Sequence, residues 1–305
     1  MKAIVIHEYG GPGVLRYEAV PTPEPAPGEV VIRLHAIGVN HMEIDVREGR
    51  SGFAFPMPHV MGGEGAGEIV ATGAAVSAFA AGDRVMPAPS LSSGMCRHAR
   101  CNCMRGLDNL CHNFAKLGIT CWGTYAEYVR VEPQNLMRLP DRLSYRDAAA
   151  GRTIFSTAWE LAIIKGQLRE GETVLVNGAG GGVGTAAVTV ARQAGGRVIG
   201  SVGSAAKTEK LRALGIDAVV NYRTGDMASE VMRLTDGQGV DLAVETVGGT
   251  VLQSTIDCMA LGGRIAIAGA HAGEKVTLDI VKLFRRQIQI ATAHSYPKSP
   301  PRCST

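Results

Sequence analysis

The run Val174-Leu175-Val176-Asn177-Gly178-Ala179-Gly180-Gly181-Gly182-Val183-Gly184-Thr185, continued by Ala186-Ala187-Val188-Thr189-Val190-Ala191, decides how this chain folds. An apolar, β-branched segment feeds a glycine-rich turn, and the turn opens into an alanine-rich helix. That order suits a dinucleotide, because glycines let backbone approach a pyrophosphate and a helix N-terminus presents unpaired N–H groups to its charge. The spacing departs from G-x-G-x-x-G: Ala179 stands first, with Gly181 and Gly184 behind it. A glycine run alone is weak, since flexible turns are common; the strand before and the helix after supply the context. Ala179, Gly180, Gly181, Gly182, Val183 and Gly184 are therefore the candidates for contacting a cofactor.

The alternation continues toward the C-terminus. Residues 197–201 read as a second strand after a helix ending near Gly195-Gly196, and further strands are expected over 218–220, 241–245, 264–268 and 287–291. Helical stretches separate them, at Lys207–Leu214, Met227–Leu234 and Val251–Ala260. Six strands alternating with helices specify an α/β fold with a doubly wound parallel sheet.

The second strand also bears on which dinucleotide fits. NAD sites carry an acidic residue near the end of that strand, roughly 20 residues past the glycines, to hold the ribose hydroxyls. Here the place is filled by Val202-Gly203-Ser204, with no carboxylate to repel a phosphate. Ser204 offers a hydroxyl and Lys207 a cation one helical turn later. Tyr222 and Arg223, just past the third strand, are placed to approach the same corner. A missing acid together with added bases favours the 2′-phosphate of NADP(H). The competing reading is that Lys207 and Arg223 are solvated surface charges.

The 305 residues suffice for two domains, and 46% hydrophobic with 19% charged residues is ordinary globular composition. A net charge of +3 without a basic run gives no reason to expect nucleic acid. No apolar stretch reaches membrane-spanning length, and Met1–Glu8 lacks a signal-peptide pattern, so a cytoplasmic location is the expectation. Five of the seven cysteines cluster at Cys96, Cys101, Cys103, Cys111 and Cys121, which suggests metal or reduced thiols over a secreted disulfide framework.

Residues 1–150 differ in texture. Prolines and glycines punctuate short β runs at 30–34, 67–71, 83–86 and 125–129, as in a compact antiparallel domain with long connections. Gly62-Gly63-Glu64-Gly65-Ala66-Gly67, Ala81-Gly82-Asp83-Arg84-Val85 and Gly123-Thr124-Tyr125-Ala126-Glu127-Tyr128 resemble signatures of the medium-chain dehydrogenase/reductase superfamily. The resemblance covers nearly the whole chain and is closest to the quinone oxidoreductase and zinc-binding alcohol dehydrogenase-like branches. It implies a GroES-like, β-rich catalytic domain over 1–150, a Rossmann NADP(H)-binding domain over 151–294 and an irregular tail over 295–305.

Three positions then bear on the chemistry. The resemblance aligns Asn40, Gly63 and Thr153 with the ligands of the catalytic zinc in alcohol dehydrogenases. An amide, a hydrogen atom and a hydroxyl replace soft thiolate and imidazole, so no catalytic zinc is expected. Glu64 and Glu43 remain, in positions that in the family mainly support the ligands. His41 and His59 lie nearby, but isolated loop histidines are more often hydrogen-bonded or exposed than metal-bound. Zinc lowers the pKa of bound water from about 15.7 to about 7, roughly 12 kcal/mol of ionisation help that is absent here. A conjugated enone or quinone needs less help than a simple alcohol, because its own π-system spreads the charge that hydride delivery creates. The expected reaction is therefore NADPH-dependent reduction of a quinone or α,β-unsaturated carbonyl. Asn40 is the first candidate for orienting a substrate oxygen or the nicotinamide, and His41 the second; the alternative for Asn40 is a loop-capping role.

The resemblance also raises a structural zinc. Cys103 and Cys111 keep the family's last cysteine spacing, whereas the first two cysteines are displaced to Cys96 and Cys101. Cys101 and Cys103 are awkward partners, since an extended chain points them in opposite directions, and His98 is a substitute for one of them. The alternative is a degenerate lobe with free thiols.

Beyond His294 the sequence departs from the family's course. Ser295–Thr305 holds three prolines and cannot supply an ordinary helix. It reads as a truncation or altered frame, with exposed apolar surface expected on the first domain. Two other functions stay open: an alcohol dehydrogenase with an unusual metal site, and a catalytically silent NADPH-binding protein. A homodimer is suggested by the resemblance, with 288–291 either an edge that pairs across a two-fold axis or an interior strand.

Overall fold

The structure, a computed structural model, describes residues 1–88, 90–91, 102, 107–110, 115–223 and 225–294. Cys96, Cys101, Cys103 and Cys111, the four candidate metal ligands, lie outside these residues, as does the tail over 295–305. The chain divides into two compact units, the first running from Met1 to Thr153 and the second from Ile154 to His294.

The described residues of the first unit form ten short strands: β1 (Lys2–Ile6), β2 (Arg16–Ala19), β3 (Val30–Ile37), β4 (His59–Val60), β5 (Gly65–Thr72), β6 (Arg84–Pro87), β7 (Ser90–Leu91), β8 (Ala115–Lys116), β9 (Tyr128–Val131) and β10 (Leu136–Arg138). Helix α1 (His41–Arg47) follows β3, and α2 (Tyr145–Trp159) begins near the end of the unit and runs past its last residue, Thr153. Strand pairing is antiparallel, in a five-stranded sheet ordered β10-β6-β5-β3-β9 and a three-stranded sheet ordered β2-β1-β4. Val30, Ile32, Ile69, Val85, Val129 and Val131 form one buried cluster, and each side chain withdrawn from water contributes about 1.5–3 kcal/mol. The sequence places a strand over 125–129, but β9 begins at Tyr128. Before it, Ala126 makes only an isolated bridge to Ala3, and the Tyr125 carbonyl accepts from the Ile4 N–H.

The second unit holds β11 (Thr173–Val176), α3 (Gly182–Gln193), β12 (Arg197–Val202), α4 (Ala205–Ala213), β13 (Ala218–Asn221), α5 (Met227–Leu234), β14 (Val240–Glu245), α6 (Gly249–Cys258), β15 (Met259–Ile267), α7 (Ile280–Arg286) and β16 (Gln289–Thr292). Its six strands run parallel in the order β13-β12-β11-β14-β15-β16. Alternation along β11 builds a layer on each face. Val174 and Val176 join α3 and β12 residues in one cluster, and Leu175 joins α5 and α6 residues in the other.

Two expected boundaries shift. Met259 and Ala260, read as the end of a helix, begin β15. Gln287, read as strand, closes α7 in the left-handed conformation (φ 54°), so β16 starts two residues later. Helix α7 itself carries too little periodic signal in seven residues to be read from sequence. On the described residues β16 pairs with β15 alone, which makes it an edge strand.

Candidate functional site

In the second unit the glycine turn sits at the carboxyl end of β11, and Gly181 is the N-cap of α3 with no side-chain cap. The first N–H groups of α3, at Gly182, Val183 and Gly184, have no intrahelical partners. Close packing of the turn on the helix explains Gly184, because a Cβ there would lie 2.2 Å from the Gly178 carbonyl oxygen. Ala179 faces the other way. It is fully buried, and a Cβ on Gly200 of β12 would lie 2.9 Å from its methyl group. Ala179 thus supports the turn from below.

The candidate phosphate-recognition residues gather around this turn. The Lys207 side chain crosses Gly180, where a Cβ would lie 2.6 Å from its Cδ. The Tyr222 hydroxyl and Arg223 Nε flank Gly203, at 2.7 and 3.2 Å from the position of a Cβ. Ser204 is the N-cap of α4, and Ser204, Lys207 and Arg223 are all exposed. The residues present fit an anionic dinucleotide: a turn crowded against its own helix, free N–H groups at its head, and two cations beside the end of β12.

In the first unit, two carboxylates organise the candidate catalytic residues. Asn40 is the N-cap of α1, and its amide Nδ2 donates to Glu64 at 2.8 Å. The other oxygen of Glu64 accepts the Thr153 N–H at 2.8 Å. Glu43, on the first turn of α1, reaches back to the Asn40 N–H at 2.6 Å and accepts the Gly63 N–H at 3.1 Å. Asn40, Gly63 and Thr153, the three positions aligned with zinc ligands, are all tied to Glu43 and Glu64. Such a donor set does not fit a zinc ion at this centre. Among the described residues no three His, Cys, Asp or Glu side chains converge as metal ligands elsewhere either.

Packing leaves space for Glu64 because Gly38 has no side chain: a Cβ there would lie 2.2 Å from Glu64 Oε1. Burial pushes the Glu43 carboxyl up, against the backbone bonds from Asn40 and Gly63 that pull it down. Burial also pulls the Lys116 ammonium down, opposed by the Glu43 charge. The Tyr125 phenol is pushed well above its ordinary value, by burial first and then by the Glu43 and Glu64 carboxylates, so it keeps its proton at neutral pH. His41 opens α1 and is exposed, whereas His59 is 1% exposed and donates Nε2–H to the Gly118 carbonyl at 3.1 Å.

Comparison with known proteins fits both units. Residues 26–141 match the alcohol dehydrogenase GroES-like domain family, and residues 182–302 match the zinc-binding dehydrogenase family. The sorbitol dehydrogenase of Bacillus subtilis (strain 168) is 31% identical over 307 residues, covering 98% of this chain and 84% of the relative. The chain belongs to the medium-chain dehydrogenase/reductase superfamily. It is an oxidoreductase of that superfamily, whose members bind NAD(P)(H). Human quinone oxidoreductase is 29% identical over 272 residues, covering 89% of this chain and 74% of that protein. A crystal structure of an NAD-dependent alcohol dehydrogenase superposes with a TM-score of 0.93 at 43% identity, covering 98% of this dehydrogenase/reductase and 86% of that chain. No helix among the described residues is long and apolar enough to cross a membrane.

Sequence reasoning missed four buried polar residues in this dehydrogenase/reductase. Asn177, Ser201, Glu245 and Thr255 are each 0% exposed and hydrogen-bonded to one another at the carboxyl end of the sheet. For Asn177, Ser201 and Glu245 the available signal was a polar residue within or ending an otherwise apolar parallel strand, whereas Thr255 lies in α6.

Proposed function

We propose that this protein is an NADPH-dependent reductase of quinones or α,β-unsaturated carbonyls that works without catalytic zinc. The observation that carries the reading is the placement of Lys207 over Gly180 and of Tyr222 and Arg223 beside Gly203, at a strand end whose residues 202–204 include no carboxylate. Bound NADPH supplies the hydride. The chain's own part is to hold its pyrophosphate on the N–H groups of Gly182, Val183 and Gly184, and its 2′-phosphate on Ser204, Lys207 and Arg223. Asn40 orients a substrate oxygen or the carboxamide with the amide N–H that Glu64 leaves available, and exposed His41 is the second polar group beside it. The proton comes from solvent or from a polar neighbour.

The 43% identity to an NAD-dependent alcohol dehydrogenase favours a second reading, alcohol oxidation with NAD. Following NADPH absorbance with a panel of quinones and enones, with NADH and simple alcohols as comparisons, separates the two. Acceptor-dependent loss of NADPH, with NADH much poorer, supports the reductase. Chelator-sensitive alcohol oxidation with NAD overturns it, and NADPH binding without turnover marks a silent binder. Zinc on Cys96, Cys101, Cys103 and Cys111 belongs to the same proposal as a structural ion, tested by metal analysis of protein purified without added zinc. A homodimer across the β16 edge, where Ile290 is 38% exposed, is tested by sedimentation.

A further inference from the structure

The end of β14 carries a carboxylate sealed from water. Glu245 is 0% exposed, and no ion pair reaches it among the described residues. Its Oε1 accepts the N–H groups of Val247 at 2.6 Å and Gly248 at 3.0 Å. Its Oε2 accepts Asn177 Nδ2 at 2.6 Å, with the Thr255 hydroxyl 3.1 Å away. Asn177 is as fully engaged. Its second amide hydrogen points to Thr255 Oγ1 at 2.7 Å, and its Oδ1 accepts the Ser201 hydroxyl at 2.6 Å. A buried charge without a cation persists only where its lone pairs are hydrogen-bonded, and these are.

The place of this network matters. The strand order β13-β12-β11-β14-β15-β16 reverses direction between β11 and β14. Such a switch point, at the carboxyl ends of the strands, is where doubly wound sheets bind ligands. Asn177 leaves β11 and Glu245 ends β14, so their bond spans the floor of that crevice. The loop that Glu245 holds is also a wall of the glycine turn, since a Cβ on Gly178 would lie 3.2 Å from Val247 Cγ2 and 3.3 Å from Thr246 Oγ1. Thr246 adds a hydroxyl bond to the Asn177 carbonyl at 3.3 Å.

We propose that Glu245, acting through Asn177, is a positioning residue for the dinucleotide, holding the 246–248 loop and the glycine turn in register across the crevice. This rests on the reading that the crevice takes NADPH. The bonds run one way: Ser201 donates to Asn177, and Asn177 donates to Glu245. In E245Q either the new amide nitrogen meets the Asn177 amide donor to donor, or it turns to the loop and the Val247 and Gly248 N–H groups lose their acceptor. In N177D two carboxylates meet. The double variant N177D/E245Q restores the set with the charge moved across: the introduced carboxylate accepts from Ser201 and from the introduced amide, whose oxygen still accepts from Val247 and Gly248.

The test titrates NADPH and 2′,5′-ADP by fluorescence on wild type, both single variants and the double, with Tm measured on each. The expected result is about tenfold weaker NADPH binding in each single variant, with recovery to within about threefold of wild type in the double. 2′,5′-ADP, which stops short of the far side of the crevice, is expected to change less than about threefold. Equal losses for both ligands in step with Tm would mean a purely structural role and would overturn the proposal, as would wild-type affinity in E245Q or no recovery in the double. Should E245Q fail to fold, S201A, which frees only the donor that orients Asn177, is expected to weaken NADPH by about threefold, and an unchanged affinity overturns the proposal. If wild type prefers NADH, the phosphate reading fails and the same comparison is made with NADH and ADP; a wild type that binds neither cofactor overturns both.

Discussion

Asn40 and Glu64 are joined by an amide-to-carboxylate hydrogen bond of 2.8 Å, in the place where metal-dependent relatives are expected to carry a metal ligand and its support. The bond fixes which face of the Asn40 amide is free. Asn40→Asp replaces the donor with a second carboxylate beside Glu64. One of the two must then hold a proton, so the folded pKa of the pair rises above the unfolded value and stability falls as pH rises through that window. The expected cost is about 1–3 kcal/mol at neutral pH, seen as a Tm deficit relative to wild type that is larger at pH 8 than at pH 5. Equal deficits at both pH values would count against the contact.

Gly38→Ala reaches the same contact from outside it. A methyl group would occupy the space of Glu64 Oε1. Turnover should fall about tenfold as Asn40 loses its orientation, while NADPH affinity, set in the other unit, stays within about twofold. Unchanged turnover with folded protein would remove Asn40 from the mechanism.

Lys207→Ala and Arg223→Ala should each weaken NADPH by about tenfold and leave NADH within about twofold, because each removes one charge-assisted contact to a phosphate that NADH lacks. Parallel loss of both cofactors would show that the cations are not reading the 2′-phosphate.

Burial holds His59 below its ordinary imidazole value of 6.5, with the Gly118 bond opposing. The unfolded chain therefore binds more protons than the folded one below that pH. The contribution is complete above about 6.5 and is lost as pH falls through the folded value. Tm measured from pH 8 to pH 5 should drop more in wild type than in His59→Gln, although the variant starts lower because it loses the ring packed 4.2 Å from Phe55. Identical slopes would assign the acid sensitivity to other groups.

Gly184→Ala should cost about 2 kcal/mol or more and abolish cofactor binding, since the added methyl meets backbone at Gly178 and not a flexible side chain. Calorimetric melting with and without NADPH reads both effects.

How much of the fold and site was legible in the residues depended on how local the cause was. The sheet of the second unit could be read because each strand, turn and helix carries its own pattern, from Val174 through Thr185 above all. Lys207 and Arg223 were readable as neighbours of the carboxyl edge of the sheet because parallel strands all end along it, and the structure sets them beside Gly180 and Gly203 respectively. The bonds of Glu64 to Asn40 and Thr153 were not legible, because nothing in 40–43 or 64 names a partner at 153. Asn177 and Glu245 stayed hidden for the same reason: each looks like the polar end of a strand until parallel pairing sets them side by side. The end of α6 was misread because Met259 and Ala260 suit helix and strand alike, and only pairing with β14 decides.

The Glu64 carboxylate draws one donor from 24 residues before it and another from 89 residues after it. It is therefore a long-range closure whose loop entropy must be met before either bond forms. A fragment ending at residue 141 would contain Asn40, Glu43 and Glu64 but leave one oxygen of that carboxylate without its donor. The orientation of a single amide thus becomes a late marker of folding, reached only when the chain has been made as far as α2 and Thr153 has met the segment just before β5.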